Sequence, residues 1–188
     1  MGLDMYLYVE RGVYSFLDEE QYEEVKRFVE SRVMGTPLKE DSKRPWGGAY
    51  SVRHEVAYWR KANAIHSWFV ENVQDGVDEC QLSYVSLEHL ESLVNSCSRV
   101  LELLNPFCAE AYDVNDWELG KEIPFRVKEE AEEILTPTGG FFFGSTDIDM
   151  YFYNTVRYTH DRLGEVLEWI RGEHEGNRFW SVFYRSSW

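Results

Sequence analysis

The densest run of chemically capable side chains is Tyr58-Trp59-Arg60-Lys61-Ala62-Asn63-Ala64-Ile65-His66-Ser67-Trp68-Phe69. Read as a helix, it puts Trp59, Ala62, Asn63, His66, Phe69, Val70 and Val73 on one face, so Asn63 and His66 interrupt an apolar stripe. A buried polar group left unpaired costs about 1–3 kcal/mol. Neighbouring backbone can supply the partners, or a ligand can, with the aromatic rings as stacking surface and Arg60 or Lys61 as charge. A second run, Phe141-Phe142-Phe143-Gly144-Ser145-Thr146-Asp147-Ile148-Asp149, reads as a strand leading through Gly144, Ser145 and Thr146 into a long helix. Free N–H groups and hydroxyls at such a junction receive phosphate or carboxylate. Thr146 or Asp147 acting as a plain N-cap accounts for the same residues, and Asp147 and Asp149 repel an incoming anion. A third group is aromatic: Trp46, Tyr50, Tyr58, Trp59 and Trp68, with Arg44 and Arg53 between them. Rings with arginine suit base stacking, worth about 1–3 kcal/mol per base, and, as the more common explanation, a subunit interface.

Motifs for catalysis are sparse. The chain has no G-x-x-x-x-G-K-[ST], G-x-G-x-x-G or G-x-S-x-G. His54-Glu55-Val56-Ala57-Tyr58 resembles H-E-x-x-H, but Tyr58 stands where the second zinc ligand belongs. His54, His66, His89, His160 and His174 show no metal spacing, and Cys80, Cys97 and Cys108 form no C-x-x-C pair. No metal, cofactor or disulfide framework is therefore expected. Cys97 reads as a small core residue. His66 or His160 remains a candidate general base for a hydrolase.

The elements that must position these residues follow from their patterns. Residues 3–9 alternate as a strand. Asp18 caps a helix, with Gln21 at the capping-box position and Leu17 and Tyr22 as its staple, which runs to Val33 and stops at Gly35. Residues 36–49 are loop. A second helix spans about 55–73, and a short strand is expected around 79–84. Ser86 caps a third helix with the stripe Leu90, Val94, Cys97, Leu101 and Leu104, followed by irregular, acidic residues 105–120. A shorter helix covers about 124–135, with Pro124 in its first turn. The last long helix carries Ile148, Phe152, Val156, Thr159, Leu163, Leu167 and Ile170, and residues 178–185 read as an aromatic strand. The expected architecture is one α+β domain over residues 1–188. About five helices pack on a small, mostly antiparallel sheet in which the N- and C-terminal strands pair.

With 188 residues, 44% of them apolar and 28% charged, the chain is long enough for one well-filled core. Its formal charge of −15 argues against long nucleic acid and against anionic membrane surfaces. No apolar run approaches the ~18–20 residues that span a bilayer. Asp4 interrupts any signal-peptide pattern at the start, and Tyr6 stands where a myristoylation signal needs Ser or Thr. The expectation is a soluble, cytoplasmic protein.

Four segments, Gly2-Leu3-Asp4-Met5-Tyr6-Leu7, the 58–66 run, Trp68-Phe69-Val70-Glu71-Asn72-Val73-Gln74 and Phe141–Asp147, together with the closing Ser186-Ser187-Trp188, resemble a widespread family of small proteins encoded by bacteriophages and their hosts. The resemblance points toward phage sponge proteins, which bind cyclic oligonucleotide immune signals such as cyclic GMP–AMP and withhold them from bacterial CBASS effectors. It implies a homo-oligomer (dimer or tetramer) in the host cytoplasm, tight binding and no turnover, and it brings no site residues with it. The ligand-binding candidates therefore come from the residues alone: Trp46, Tyr58 and Trp59 to stack, Arg60 and Lys61 for phosphate, Asn63 and His66 for base edges or neighbours, and Gly144, Ser145 and Thr146 as donors. A nucleotide hydrolase and an acidic protein that engages a host protein stay open beside this reading.

Overall fold

The computed structural model describes residues 2–14, 19–29, 49–114, 122–173 and 180–188. Nine elements follow in chain order: β1 (Asp4–Tyr14), α1 (Glu19–Phe28), β2 (Ala49–Arg60), α2 (Asn63–Val73), β3 (Ser83–Val85), α3 (Leu87–Val114), α4 (Phe125–Ile134), α5 (Met150–Glu173) and β4 (Trp180–Ser187). The strands form one antiparallel sheet in the order β2-β1-β4-β3. The expected pairing of first and last strands is present, with Met5 opposite Ser186 and Leu7 opposite Tyr184. This is the α+β architecture that the alternation and helical stripes predict.

Side-chain alternation decides which face of the sheet is inside. Leu3, Met5, Leu7 and Val9 are fully buried, and their cross-strand neighbours Ala57, Trp59, Val182 and Tyr184 join them. Tyr6, Tyr8 and Glu10 point the other way. A bulge between Leu7 and Tyr8 leaves Val56 without an opposite residue, so Val56 and Ala57 are buried in succession. The helices pack on the buried face. Along α3 the core stripe is Leu90, Leu93, Cys97, Val100, Leu104 and Cys108. It meets Phe152, Val156, Leu163, Leu167 and Ile170 of α5. Burial raises the thiol pKa of Cys97 and pushes that of Cys108 up to about 11, so both behave as small apolar residues.

The structure departs from the sequence reading at five places. Residues 55–60 are the end of a strand: Val52, Val56, Tyr58 and Trp59 favour extended backbone, and pairing with β1 buries Ala57 and Trp59. Lys61, in left-handed backbone at φ 56°, separates that strand from α2. Residues 105–114 continue α3 through Pro106, because Leu104 and Cys108 extend the buried stripe by a further turn. Phe141, Phe142 and Phe143 form a turn, tied to the sheet by the Leu3 N–H donating to Phe142 C=O. The cap of α5 is Asp149, which accepts from the Phe152 N–H at 3.0 Å, in place of Thr146 or Asp147. Finally, the short strand lies at 83–85.

Ser86 does cap α3, accepting from the His89 N–H at 3.1 Å, and Pro124 immediately precedes α4. Tyr22 of α1 packs against Tyr50, 5.2 Å between rings, whereas Leu17, Asp18, Val33 and Gly35 lie outside the described residues. Among the described residues, no helix is long and apolar enough to cross a membrane.

Because Leu7 sits fully buried at the centre of the sheet, Leu7→Ala is expected to lower unfolding free energy by about 2–5 kcal/mol. Urea denaturation checks this, and a loss below about 1 kcal/mol would contradict the packing described.

Candidate functional site

Strand β2 is an edge strand, and its outer edge is closed by side chains of α5. Arg162 Nε donates to Val56 C=O at 2.5 Å, the Tyr58 N–H donates to the Tyr158 hydroxyl at 3.4 Å, and the Tyr151 hydroxyl donates to Arg60 C=O. Backbone groups that a neighbouring strand would otherwise satisfy are thus met by a helix, which blunts the edge. Beneath them the Trp59 indole N–H donates to Thr159 Oγ1 at 2.9 Å in the core.

Between these contacts lies a groove of about 300 Å³, lined by Tyr58, Trp59, Arg60 and Ala62 on one side and Tyr151, Asn154, Thr155 and Tyr158 on the other. Tyr58, Tyr151 and Tyr158 keep 40%, 45% and 40% of their surface exposed, so their rings are available to a ligand. The Asn154 side-chain oxygen is buried without a hydrogen-bond partner among the described residues. Tyr58 holds its proton above the ordinary phenol range, first because its hydroxyl donates to the Asp4 carboxylate. Burial does the same for Tyr151, and the Arg60 charge partly opposes both shifts. Arg60 lines the groove, both Arg60 and Lys61 pass close to Gly2, and neither has an ion pair among the described residues.

The other candidates have separate places. Asn63 is buried, and its amide donates to the carbonyls of Phe143 and Ser145 at 3.1 and 2.7 Å. It clasps the 143–145 turn against α2, which is the neighbouring-backbone explanation of a polar residue on an apolar face. Gly144 has φ +90° and faces the Lys61 side chain, where an added Cβ would come within 3.2 Å of Lys61 Cβ. Glycine is required there for conformation and for space. The Ser145 hydroxyl is engaged with Asp147, donating to its carboxylate and accepting from its N–H, and Thr146 is exposed. Asn63 and Ser145 line, with Lys61 and Tyr151, a crevice of only about 20 Å³ that shares Ala62, Tyr151 and Thr155 with the groove. Trp46 and Arg44 lie outside the described residues, and Trp68 is in the core against Phe69.

His66 is 1% exposed and engaged at both ring nitrogens: Nδ1 with the Tyr184 hydroxyl at 2.7 Å, Nε2 with Asp78 at 2.9 Å. A neutral imidazole donating from Nε2 and accepting at Nδ1 satisfies all three groups. Asp78 also accepts from the Trp188 indole N–H at 3.1 Å, and Tyr184 stacks on Phe69 with centroids 3.9 Å apart. This chain of contacts ties α2, the loop before β3 and the end of β4 together. His160 contacts Asp161 on the surface of α5. Among the described residues, no group of three His, Cys, Asp or Glu side chains could hold a metal ion.

The structure thus brings Tyr58, Trp59 and Arg60 to one groove, puts Lys61, Asn63 and Ser145 on a small crevice beside it, and leaves Gly144 and His66 outside both linings. Tyr151, Asn154 and Tyr158 escaped the sequence reading. Their signal is the second stripe of α5, at intervals of three and four residues, beside the apolar one.

Burial, with Asp78 and Cys80 nearby, holds the Tyr184 phenol well above its ordinary pKa. A raised folded value means that its contribution is complete below about pH 10, the unfolded value, and fades as pH rises toward the folded one. Tyr184→Phe is therefore expected to cost about 1–2 kcal/mol at pH 8, by stranding His66 Nδ1. It is also expected to make the loss of stability above pH 10 shallower, and urea midpoints at pH 8 and 11 test both effects. Searches for similar proteins place the chain with none: no family model, no curated protein and no solved structure matches it at a significant level.

Proposed function

We propose that the protein binds a small nucleotide in the groove between β2 and α5 and holds it without turnover. The ligand class is a cyclic oligonucleotide immune signal such as cyclic GMP–AMP, kept from the effectors of a CBASS defence. The observation that carries this reading is the convergence of three exposed tyrosines and Arg60 around one space of about 300 Å³. That volume is at the lower end of small-molecule sites, which take a few fixed polar groups amid apolar and aromatic walls. Tyrosine faces offer stacking to any base. Arg60 and Lys61 supply local positive charge to phosphate in a chain of net charge −15, and Asn154 in the groove wall has a side-chain oxygen without a partner among the described residues, an acceptor for a base amino group.

Holding without turnover is consistent with the positions of the two candidate general bases, His66 and His160, neither of which lines the groove. His66 is buried in the core between Tyr184 and Asp78, out of reach of a ligand in the groove, and His160 contacts Asp161 on the surface of α5.

The test is a panel of cyclic dinucleotides, cyclic trinucleotides and linear nucleotides, each mixed with pure protein and recovered by heat denaturation for mass spectrometry. Ligand retained and returned intact is the expected result. Tyr158→Ala and Arg60→Ala are each expected to weaken binding at least about tenfold, the scale of one stacked base or one charged hydrogen bond. Ligand returned cleaved would make the protein a nucleotide hydrolase. Retention of none would overturn the reading in favour of an acidic protein that engages a host protein.

A further inference from the structure

The helices cover one face of the sheet, and the other face is open among the described residues. Its positions follow from the register: Asp4, Tyr6, Tyr8 and Glu10 on β1 stand beside Arg60, Tyr58, Glu55 and Arg53 on β2, with Arg185 and Phe183 on β4 and Tyr84 on β3. This is a continuous aromatic surface rather than a solvated polar one. Tyr6 stacks on Tyr8 with centroids 6.0 Å apart and 13° between planes, and also touches Tyr58 at 5.4 Å. Tyr84 meets Phe183 edge-on at 6.2 Å. The Arg53 guanidinium bridges the strands, 5.7 Å from the Tyr8 ring and 5.6 Å from that of Phe183.

The charge of this face sets it apart from the rest of the molecule. Arg53, Arg60 and Arg185 balance Asp4, Glu10 and Glu55, so the face is neutral in a chain of net charge −15. Arg53 is paired with Glu10, its Nε 2.8 Å from the carboxylate. Arg60, Arg185 and Glu55 have no ion pair among the described residues.

We propose that this open sheet face is a docking surface for a second copy of the same chain. Two copies repel each other wherever their acidic surfaces meet, and a neutral face removes that barrier. The face is also self-complementary in charge: in a two-fold arrangement the same patch serves both copies, so Arg60 or Arg185 of one can meet Glu55 of the other, and the reverse. Aromatic residues and arginine are the types enriched at such interfaces. Because the rings and Arg53 are already stacked on one another, little side-chain freedom is left to lose on association. A strand of nucleic acid could stack on the same rings, but it would meet a neutral face on a strongly acidic protein, without the phosphate contacts that dominate such binding. The proposal does not rest on the groove having a ligand, although Tyr58 and Arg60 border both surfaces.

The experiment is sedimentation velocity from about 1 to about 100 μM, a range spanning micromolar self-association, on the native chain, Tyr84→Lys and Arg185→Glu. Both substituted residues are exposed, and neither lines the groove. The native chain is expected to become dimeric within that range. Each variant is expected to raise the dissociation constant at least about tenfold, as removal of an interface anchor does, while near-UV circular dichroism and melting temperature stay unchanged. A native chain that is monomeric throughout would overturn the proposal, as would a dimer equally stable in both variants, which would place the interface elsewhere. A monomer that instead binds labelled oligothymidylate through Tyr84 and Arg185 would assign the face to nucleic acid. Nucleotide retention by the groove is read separately, so failure of one reading does not disguise failure of the other.

Discussion

The alternation along β1 governs the rest of the molecule. Because Leu3, Met5, Leu7 and Val9 all project to one side and are all fully buried, the helices have one face to pack on and the opposite face is left open among the described residues. A one-residue slip in register would exchange the two sets, burying Asp4 and Glu10 and exposing the apolar four. Pairing on both sides of β1 also brings Arg60 of β2 and Ser187 of β4 opposite Asp4. The start of β1 therefore lies between the residues that open the groove and the strand that anchors Tyr184. Neither the groove nor the open face exists without that register.

Two kinds of buried polar residue serve this frame, and they act locally. Asn63 spans α2 and the 143–145 turn through two donated hydrogen bonds, which holds the turn against Lys61 and so shapes one wall beside the groove. His66 spans Tyr184 and Asp78. Each connection replaces water with a protein partner in a region of low dielectric, where an unpaired group is most costly. The groove itself is built differently. Its polar atoms at Tyr58, Tyr151 and Tyr158 are anchored to backbone or to Asp4, while part of each ring remains exposed, so the rings are held in place by the fold itself.

Much of the fold was legible because single elements carried strong periodicity. The period of two in residues 3–9 and the three-and-four spacing of α3 and α5 each match one secondary structure and mark its buried side. Ser86 and Pro124 marked helix starts because their local chemistry favours those positions. Residues 55–60 misled for a physical reason: placed on a helical wheel, Trp59 aligned with Asn63 and His66, although a left-handed Lys61 breaks the chain between them. What fixes Trp59 is pairing opposite Met5, a contact across more than fifty residues that no local pattern contains. The same limit hid the groove. Tyr58 and Arg60 were recognised as capable residues, but Tyr151, Asn154 and Tyr158 belong to a helix about a hundred residues away, and their apolar neighbours dominated its pattern. For His66, the sequence correctly posed a choice between a satisfied core residue and a ligand-facing one, and distant Tyr184 and Asp78 decide it.

Charge distribution gives the aromatic residues their meaning. A chain with 34 acidic and 19 basic residues has few cations to place, and three of its arginines stand on the open sheet face among tyrosines. If those rings merely filled space, the inner face would be the place for them. On the outer face each exposed ring retains an apolar surface that water does not favour, and a guanidinium stacked on it remains accessible from above. Arg60 stands where the two surfaces meet, at the mouth of the groove and on the sheet face, one residue before the chain turns into α2. A ligand phosphate drawn to Arg60 and a carboxylate from a second copy would compete for the same guanidinium. If the groove holds a ligand and the face a second copy, as proposed, the two events would be coupled through Arg60, and linkage would require that coupling to be reciprocal.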